Sequence, residues 1–186
     1  MESSGALASN LKLLYTAEYA HQSDYQENPN DIDVDYWLAE AGVSTSPGGF
    51  VSAITAKVSY EILGGDGGVS SLQTPLGTNH AFQGWADRFL ITPGDGIQNL
   101  FLTLKATVGG ATAMVVYHDL RSDHDGYDYG SEWDLLLEKP FYEHYTVGLK
   151  YAAYDADRNA MNLARNAVAG QAFDLTKVWA YLQVRF

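Results

Sequence analysis

The chain has 186 residues, which suits one domain with a buried core. It has no cysteine, which excludes disulfides and thiolate metal sites, and its formal net charge of −12 argues against a nucleic-acid-binding protein. The opening MESSGALASN lacks the charged and apolar regions of a signal peptide, and no apolar run is long enough for a transmembrane helix.

Alternation of apolar and polar residues predicts about eight β-strands. They lie at about 11–22, 34–44, 50–63, 99–109, 111–120, 129–139, 145–154 and 176–186. Most place apolar side chains on one face and polar side chains on the other, as a strand period of two requires. The stretch 111–120 is apolar on both faces, so its phase is not assigned. The last strand has about the 9–11 residues that a tilted strand needs to cross a bilayer.

Short and longer connections alternate along the chain. The short ones are 44–49, Gly109-Gly110 and 140–144, and the predicted outer loops are about 23–33, 64–98, 121–128 and 155–175. Outer-membrane barrels have this rhythm, with short periplasmic turns and long outer loops. The fold class predicted is therefore all-β: antiparallel transmembrane β-barrel strands in an up-and-down meander, within a single barrel domain spanning 1–186.

The predicted polar face carries charges of both signs. We expect it to face the lumen, with solute-facing candidates at Lys57, Lys105, Lys150, Lys177, Arg185, Glu61, Glu132 and Asp134. If eight strands close on themselves, these side chains simply fill a narrow interior, whereas in a wider barrel they line a pore.

The opposite, apolar face is expected to contact lipid. Its aromatic residues near strand ends suggest the girdles that flank a membrane-spanning band, namely Trp37, Tyr60, Trp133, Tyr151 and Phe186. Ordinary cross-strand aromatic packing is the alternative explanation.

The predicted outer loops hold most of the acidic residues. Asp123, Asp125 and Asp128 offer oxygen ligands that suit a hard cation such as Ca²⁺, but the spacing is not that of an EF-hand, and a solvated acidic loop is the favoured interpretation. We find no nucleophile elbow and no zinc-protease motif. The sequence therefore predicts no enzyme and no cofactor.

Several ordered segments carry a family resemblance. They include His80, FQGWADRF (82–89), VYHD (116–119), YGSEWD (129–134) and the terminal Phe186. Residues 70–186 resemble the C-terminal part of the alginate-export family of bacterial outer-membrane β-barrels. The resemblance implies a channel for anionic polysaccharide or small solutes. It also implies that Phe186, ending the last strand, is the signal that barrel-assembly machinery reads.

Members of that family are longer, have more strands and carry a signal peptide. We therefore expect this chain to be the C-terminal part of a longer barrel, located in the bacterial outer membrane with lipid and the assembly machinery as partners. The stretch 64–98, with Trp85, Asp87 and Arg88, is long enough to fold into the mouth as a constriction loop or to pack against neighbouring loops.

Two other functions remain open from the sequence. One is a complete eight-stranded barrel with a structural or adhesion role and no pore. The other is a soluble β-sandwich or lipocalin-like binder, against which the apolar face argues because it would be a very large exposed patch.

Overall fold

A computed structural model describes residues 3–8, 10–26, 29, 31–68, 70–74 and 83–186, with only the backbone described for 3–8. His80, Phe82 and the rest of 75–82 lie outside these ranges, so the part of the family resemblance that they carry has no structural counterpart here.

Nine strands form one antiparallel sheet in which every strand pairs with its neighbours in sequence. The strands are β1 (Ser3–Ala8), β2 (Leu11–Ser23), β3 (Asp33–Thr45), β4 (Val51–Leu63), β5 (Ile97–Val108), β6 (Ala111–Arg121), β7 (Asp128–Phe141), β8 (Tyr145–Ala156) and β9 (Leu175–Val184). The predicted all-β, up-and-down meander is confirmed. Among the described strands, β1 and β9 do not pair with each other, so the sheet is open.

Two elements were not predicted. Strand β1 consists of small residues, SSGALA, without apolar alternation, and its pairing with β2 forms it. Helix α1 (Ala160–Asn166) lies inside the predicted loop 155–175, and Asn159 caps it by accepting a hydrogen bond from the Asn162 N–H at 2.8 Å. Neither element is long enough to give a strong periodic signal.

The two ends of the sheet differ as the loop rhythm predicts. Residues 10, 46–50, 109–110 and 142–144 form the short-turn end, and the described parts of the connections 24–32, 64–96, 122–127 and 157–174 form the long-loop end. Gly109 and Gly110 have φ values of +56° and +75°, the left-handed conformation that tight hairpin turns require.

The two faces of the sheet have opposite characters. Large apolar side chains are exposed on one face, whereas most of the buried residues belong to the polar face and its loops. The structure settles the phase of β6, because Val116, His118 and Leu120 are buried on the polar face. The hydrophobic core therefore lies between the polar face and the long loops, around Leu63, Ile97, Leu120, Tyr129 and Phe89.

Among the described residues, no helix is both long and apolar enough to cross a lipid bilayer.

Candidate functional site

The polar face of the sheet is partly covered by residues 83–89, which we call the seated segment. Trp85 and Phe89 in this segment are 6% and 2% exposed, and Ala86 is fully buried. The Phe89 ring centroid lies 5.3 Å from that of Tyr129 and 5.9 Å from that of Tyr154. Aromatic packing therefore anchors the segment against β7 and β8.

Two carboxyl groups of β7 receive the main chain of the seated segment. The Trp85 N–H donates to Asp134 Oδ2 at 3.2 Å, and the Ala86 N–H donates to Glu132 Oε1 at 2.6 Å. Gly84 makes this approach possible, because it has φ +85° and a Cβ there would lie 2.5 Å from Glu132 Oε2. We call Glu132 and Asp134 the carboxyl pair.

A third buried carboxyl, Glu61 of β4, holds the start of the segment. It accepts hydrogen bonds from the Gln83 amide at 2.7 Å and from the Tyr36 hydroxyl at 3.0 Å. Asn99 lies between Glu61 and His118, and its Oδ1 is 3.0 Å from His118 Nδ1. His118 Nε2 in turn lies 3.4 Å from Asp134 Oδ2. A continuous buried polar chain thus connects β4, β5, β6 and β7 beneath the segment.

This burial corrects one prediction. Glu61, Glu132 and Asp134 were expected to meet solute, but they are only 1%, 0% and 0% exposed because the seated segment covers them. Strand alternation placed them on the polar face. It did not indicate that main-chain N–H groups more than forty positions earlier in the chain donate to Glu132 and Asp134.

The three constriction-loop candidates all lie on the polar face. Asp87 forms an ion pair with Lys177 of β9 at 2.9 Å. Arg88 donates to the Phe173 carbonyl at 3.0 Å and lies over the Tyr154 ring. The Lys150 ammonium lies 5.2 Å from the Trp85 ring centroid. The segment is therefore held by charged contacts as well as by burial.

The four lysine candidates and Lys12 fall into two adjacent rows of paired positions across the sheet, which we call the lysine rows. Lys12, Lys105 and Lys150 share one row, and Lys57 and Lys177 share the next row toward the long-loop end. Lys57 is paired with Glu40 at 3.0 Å, whereas Lys105 is exposed. Arg185 lies apart from these rows, beyond β9 at the short-turn end, where its N–H donates to the His144 carbonyl.

Phe186 also lies beyond the end of β9 and is fully exposed. The last strand ends at Val184, two residues earlier than predicted. Phe186 is thus outside the paired part of the sheet.

The calcium candidates are not brought together. Asp123 accepts from the Gly65 N–H and the Gln98 amide, Asp125 lies 3.6 Å from His124, and Asp128 accepts from the Gly130 N–H. Over the described ranges, no group of three or more histidine, aspartate or glutamate side chains is arranged to hold a metal ion.

An acidic cleft of about 520 Å³ opens at the long-loop end, lined in part by Asp119, Asp128, Asp155, Asp157 and Asp174. The Ala156 N–H donates to Asp174, and the Arg158 guanidinium lies 2.9 Å from it. Both contacts hold the pKa of Asp174 below its usual value. The cleft combines residues from three strands and from the connection between β8 and β9, so the linear sequence pattern did not identify it.

Comparison of the chain with protein-family models, with curated proteins and with solved structures gave no match. The resemblance to the alginate-export family therefore stays a prediction.

Proposed function

We propose that this chain forms part of the wall of a bacterial outer-membrane channel, with its apolar face against lipid and its polar face toward an aqueous lumen. The supporting observation is the exposed apolar face. Leu102, Leu104 and Leu137 are 51%, 54% and 53% exposed, although they lie in the middle of paired strands. Water would make such a continuous apolar surface unfavourable, whereas lipid accommodates it.

The dimensions of the sheet agree with this proposal. Strands β2 to β9 have 10 to 14 residues, which is enough for a tilted strand to cross the hydrocarbon core. Exposed aromatic residues flank the leucines on β7, with Trp133 toward the long-loop end and Phe141 at the short-turn end. Along an antiparallel strand these two positions are roughly 27 Å apart, and a tilt of about 35–45° reduces their separation along the membrane normal to roughly 20 Å. That is of the same order as the apolar band of roughly 25 Å between aromatic girdles.

The lysine rows indicate the kind of solute. Amino groups at one level of a lumen raise the local concentration of anions and attract them most strongly at low ionic strength. We therefore infer that the channel passes anionic polysaccharide, alginate-like in charge, or small anionic solutes. The seated segment narrows the lumen beside Lys150 of β8 and Lys177 of β9.

Membrane location is tested by partitioning and refolding. We expect the protein to enter the detergent phase and to refold into phospholipid bilayers with a β-sheet circular-dichroism spectrum. A monomeric protein that folds and stays soluble without detergent or lipid would contradict the membrane proposal.

The channel is tested separately by single-channel conductance of the intact protein in planar bilayers. Changing Lys57, Lys105 and Lys150 together to Glu should lower or reverse anion preference, most clearly in dilute salt. The control is Arg158→Glu, which changes a basic residue at the long-loop end outside the lysine rows. Unchanged selectivity in the triple variant would mean that these lysines do not face the conduction path.

A second candidate is an outer-membrane barrel with a structural or adhesion role and no pore. The seated segment and its buried partners favour it, because they fill part of the space that a channel needs. Normal insertion into bilayers without any conductance would support this role over the channel.

A further inference from the structure

The carboxyl pair beneath the seated segment has an unusual arrangement of hydrogen bonds. One oxygen of each group accepts an N–H of the segment, from Ala86 to Glu132 Oε1 and from Trp85 to Asp134 Oδ2. The remaining oxygens, Glu132 Oε2 and Asp134 Oδ1, are buried and have no other hydrogen-bond donor within the described structure. Glu132 and Asp134 are two residues apart on the same face of β7 and accept from consecutive N–H groups of the segment, so their carboxyl groups are neighbours.

Two adjacent ionised carboxylates in such a place are unfavourable. Burial removes the water that would screen them, and neighbouring like charges repel strongly in a medium of low dielectric constant. A proton placed between the two groups removes one charge and supplies a donor. This is the solution used wherever two buried carboxyls share a site.

Within the described ranges, the surrounding groups do not neutralise both charges by direct contact. His118 Nε2 approaches Asp134 at 3.4 Å, while its Nδ1 lies against Asn99. The Lys150 ammonium lies over the Trp85 ring, and Lys177 is paired with Asp87. The other charged or titratable groups around the pair are Glu61 of β4, Tyr154 of β8, and Asp87 and Arg88 of the seated segment.

We propose that Glu132 and Asp134 share a single proton in the closed state, and that this proton latches the seated segment onto the polar face. The inference concerns only the contact between the seated segment and the polar face, and it does not rest on the proposed channel.

The sign of the pH dependence follows from the proton balance. The closed state holds one proton between the two carboxyls and carries one negative charge there. Rising pH transfers that proton to solvent, the pair becomes doubly negative, and hydration of both carboxylates requires the segment to lift. The closed state is thus favoured at lower pH and lost as pH rises, and no covalent bond other than the O–H bond changes.

The shared proton can be observed directly by infrared spectroscopy of the purified protein in D₂O. At neutral pH we expect a carboxylic-acid C=O band in the wild type that loses intensity in Glu132→Gln and in Asp134→Asn. Each amide can donate to the remaining carboxylate and so replaces the shared proton. Glu61→Gln is the matched control for burial, because Glu61 is a buried carboxyl of the same polar chain that has its own hydrogen-bond donors. A neutral-pH band that is equal in wild type, Glu132→Gln and Asp134→Asn would overturn the proposal.

The latch is tested by amide hydrogen exchange of peptides covering 83–89. After correction for intrinsic base catalysis, exchange in the wild type should rise roughly tenfold per pH unit above the titration of the pair, since opening releases one proton. In Glu132→Gln this rise should disappear and the segment should stay protected, whereas Glu61→Gln should retain it. If Glu132→Gln fails to fold, Asp134→Asn gives the same readout. A wild-type segment with pH-independent protection, or a rise retained in the amide variants, would disprove the latch.

Discussion

Gly84 is the residue of the seated segment at which a side chain is least tolerable. Its φ of +85° disfavours any residue with a Cβ, and that Cβ would lie 2.5 Å from a carboxyl oxygen of Glu132. We expect Gly84→Ala to destabilise the closed segment by about 1–3 kcal/mol, from backbone strain together with displacement of the carboxyl. Amide exchange at Trp85 and Ala86 measures this as a lower free energy of opening.

Gly48 provides the matched control for that change. Its φ of +86° is nearly the same, but nothing lies within 4 Å of its added Cβ. Gly48→Ala therefore introduces the strain without the contact and should leave exchange in the seated segment unchanged. Equal exchange of the segment in Gly84→Ala and wild type would show that the hydrogen bonds between the segment and the carboxyl pair do not require this close approach.

At the scale of elements, the seated segment depends on one buried aromatic ring. Phe89 is 2% exposed between Tyr129 and Tyr154, whereas its neighbour Leu90 is 55% exposed. We expect Phe89→Ala to cost about 3–5 kcal/mol, since it leaves a cavity under the segment. Leu90→Ala should change stability by less than about 0.5 kcal/mol. Denaturant titration of the two variants measures both values, and similar losses would argue against this packing.

The end of β9 carries a different prediction. Phe186 is exposed beyond the last paired residue, Val184, so it contributes little to the fold. If it is read by the assembly machinery, Phe186→Ser should lower outer-membrane insertion in cells while refolding into lipid in vitro stays close to wild type. Equal insertion of mutant and wild type in cells would remove Phe186 from the assembly signal.

At the scale of the whole molecule, the environment of the apolar face decides the effect of a charge placed on it. Leu104 and Thr107 belong to β5 and point to opposite faces, and Leu104 is 54% exposed. Against lipid, Leu104→Lys should cost about 2–4 kcal/mol. Thr107→Lys on the polar face, where the paired residues are Ala53 and Thr112, should be nearly neutral. Unfolding from lipid vesicles measures the difference. In a water-exposed sheet, Leu104→Lys would be harmless.

The sequence predicts the sheet well because its signal is local. A period of two along each strand is enough to assign eight strands and, for β9, to separate Val178 and Leu182 from Lys177 and Trp179. The same period does not give the phase of β6, because Val116 and Leu120 are apolar yet lie on the polar face, where the core beneath the loops buries them.

The candidate site is only partly predictable, because its contacts join distant segments. The sequence places Glu132 and Asp134 on the polar face and identifies Trp85 and Asp87 as loop candidates. It does not indicate that the main chain of the seated segment donates to the carboxyl groups of β7, since 46 and 49 positions separate the bonded residues. Nor does alternation identify Asn99 and His118 as links in the same buried chain.

The number of strands restricts how the sheet can be completed. Because successive strands reverse direction and the described part of the chain has nine, β1 and β9 run the same way. Unpaired backbone N–H and C=O groups at a sheet edge find no hydrogen-bond partner in lipid, so a membrane-embedded sheet must close. Antiparallel closure of these nine strands takes an odd number of additional strands. Two copies in the same orientation would instead meet at two parallel seams. For the proposed membrane location, the parity of the nine described strands therefore favours an even-stranded, antiparallel ring over a ring with a parallel seam.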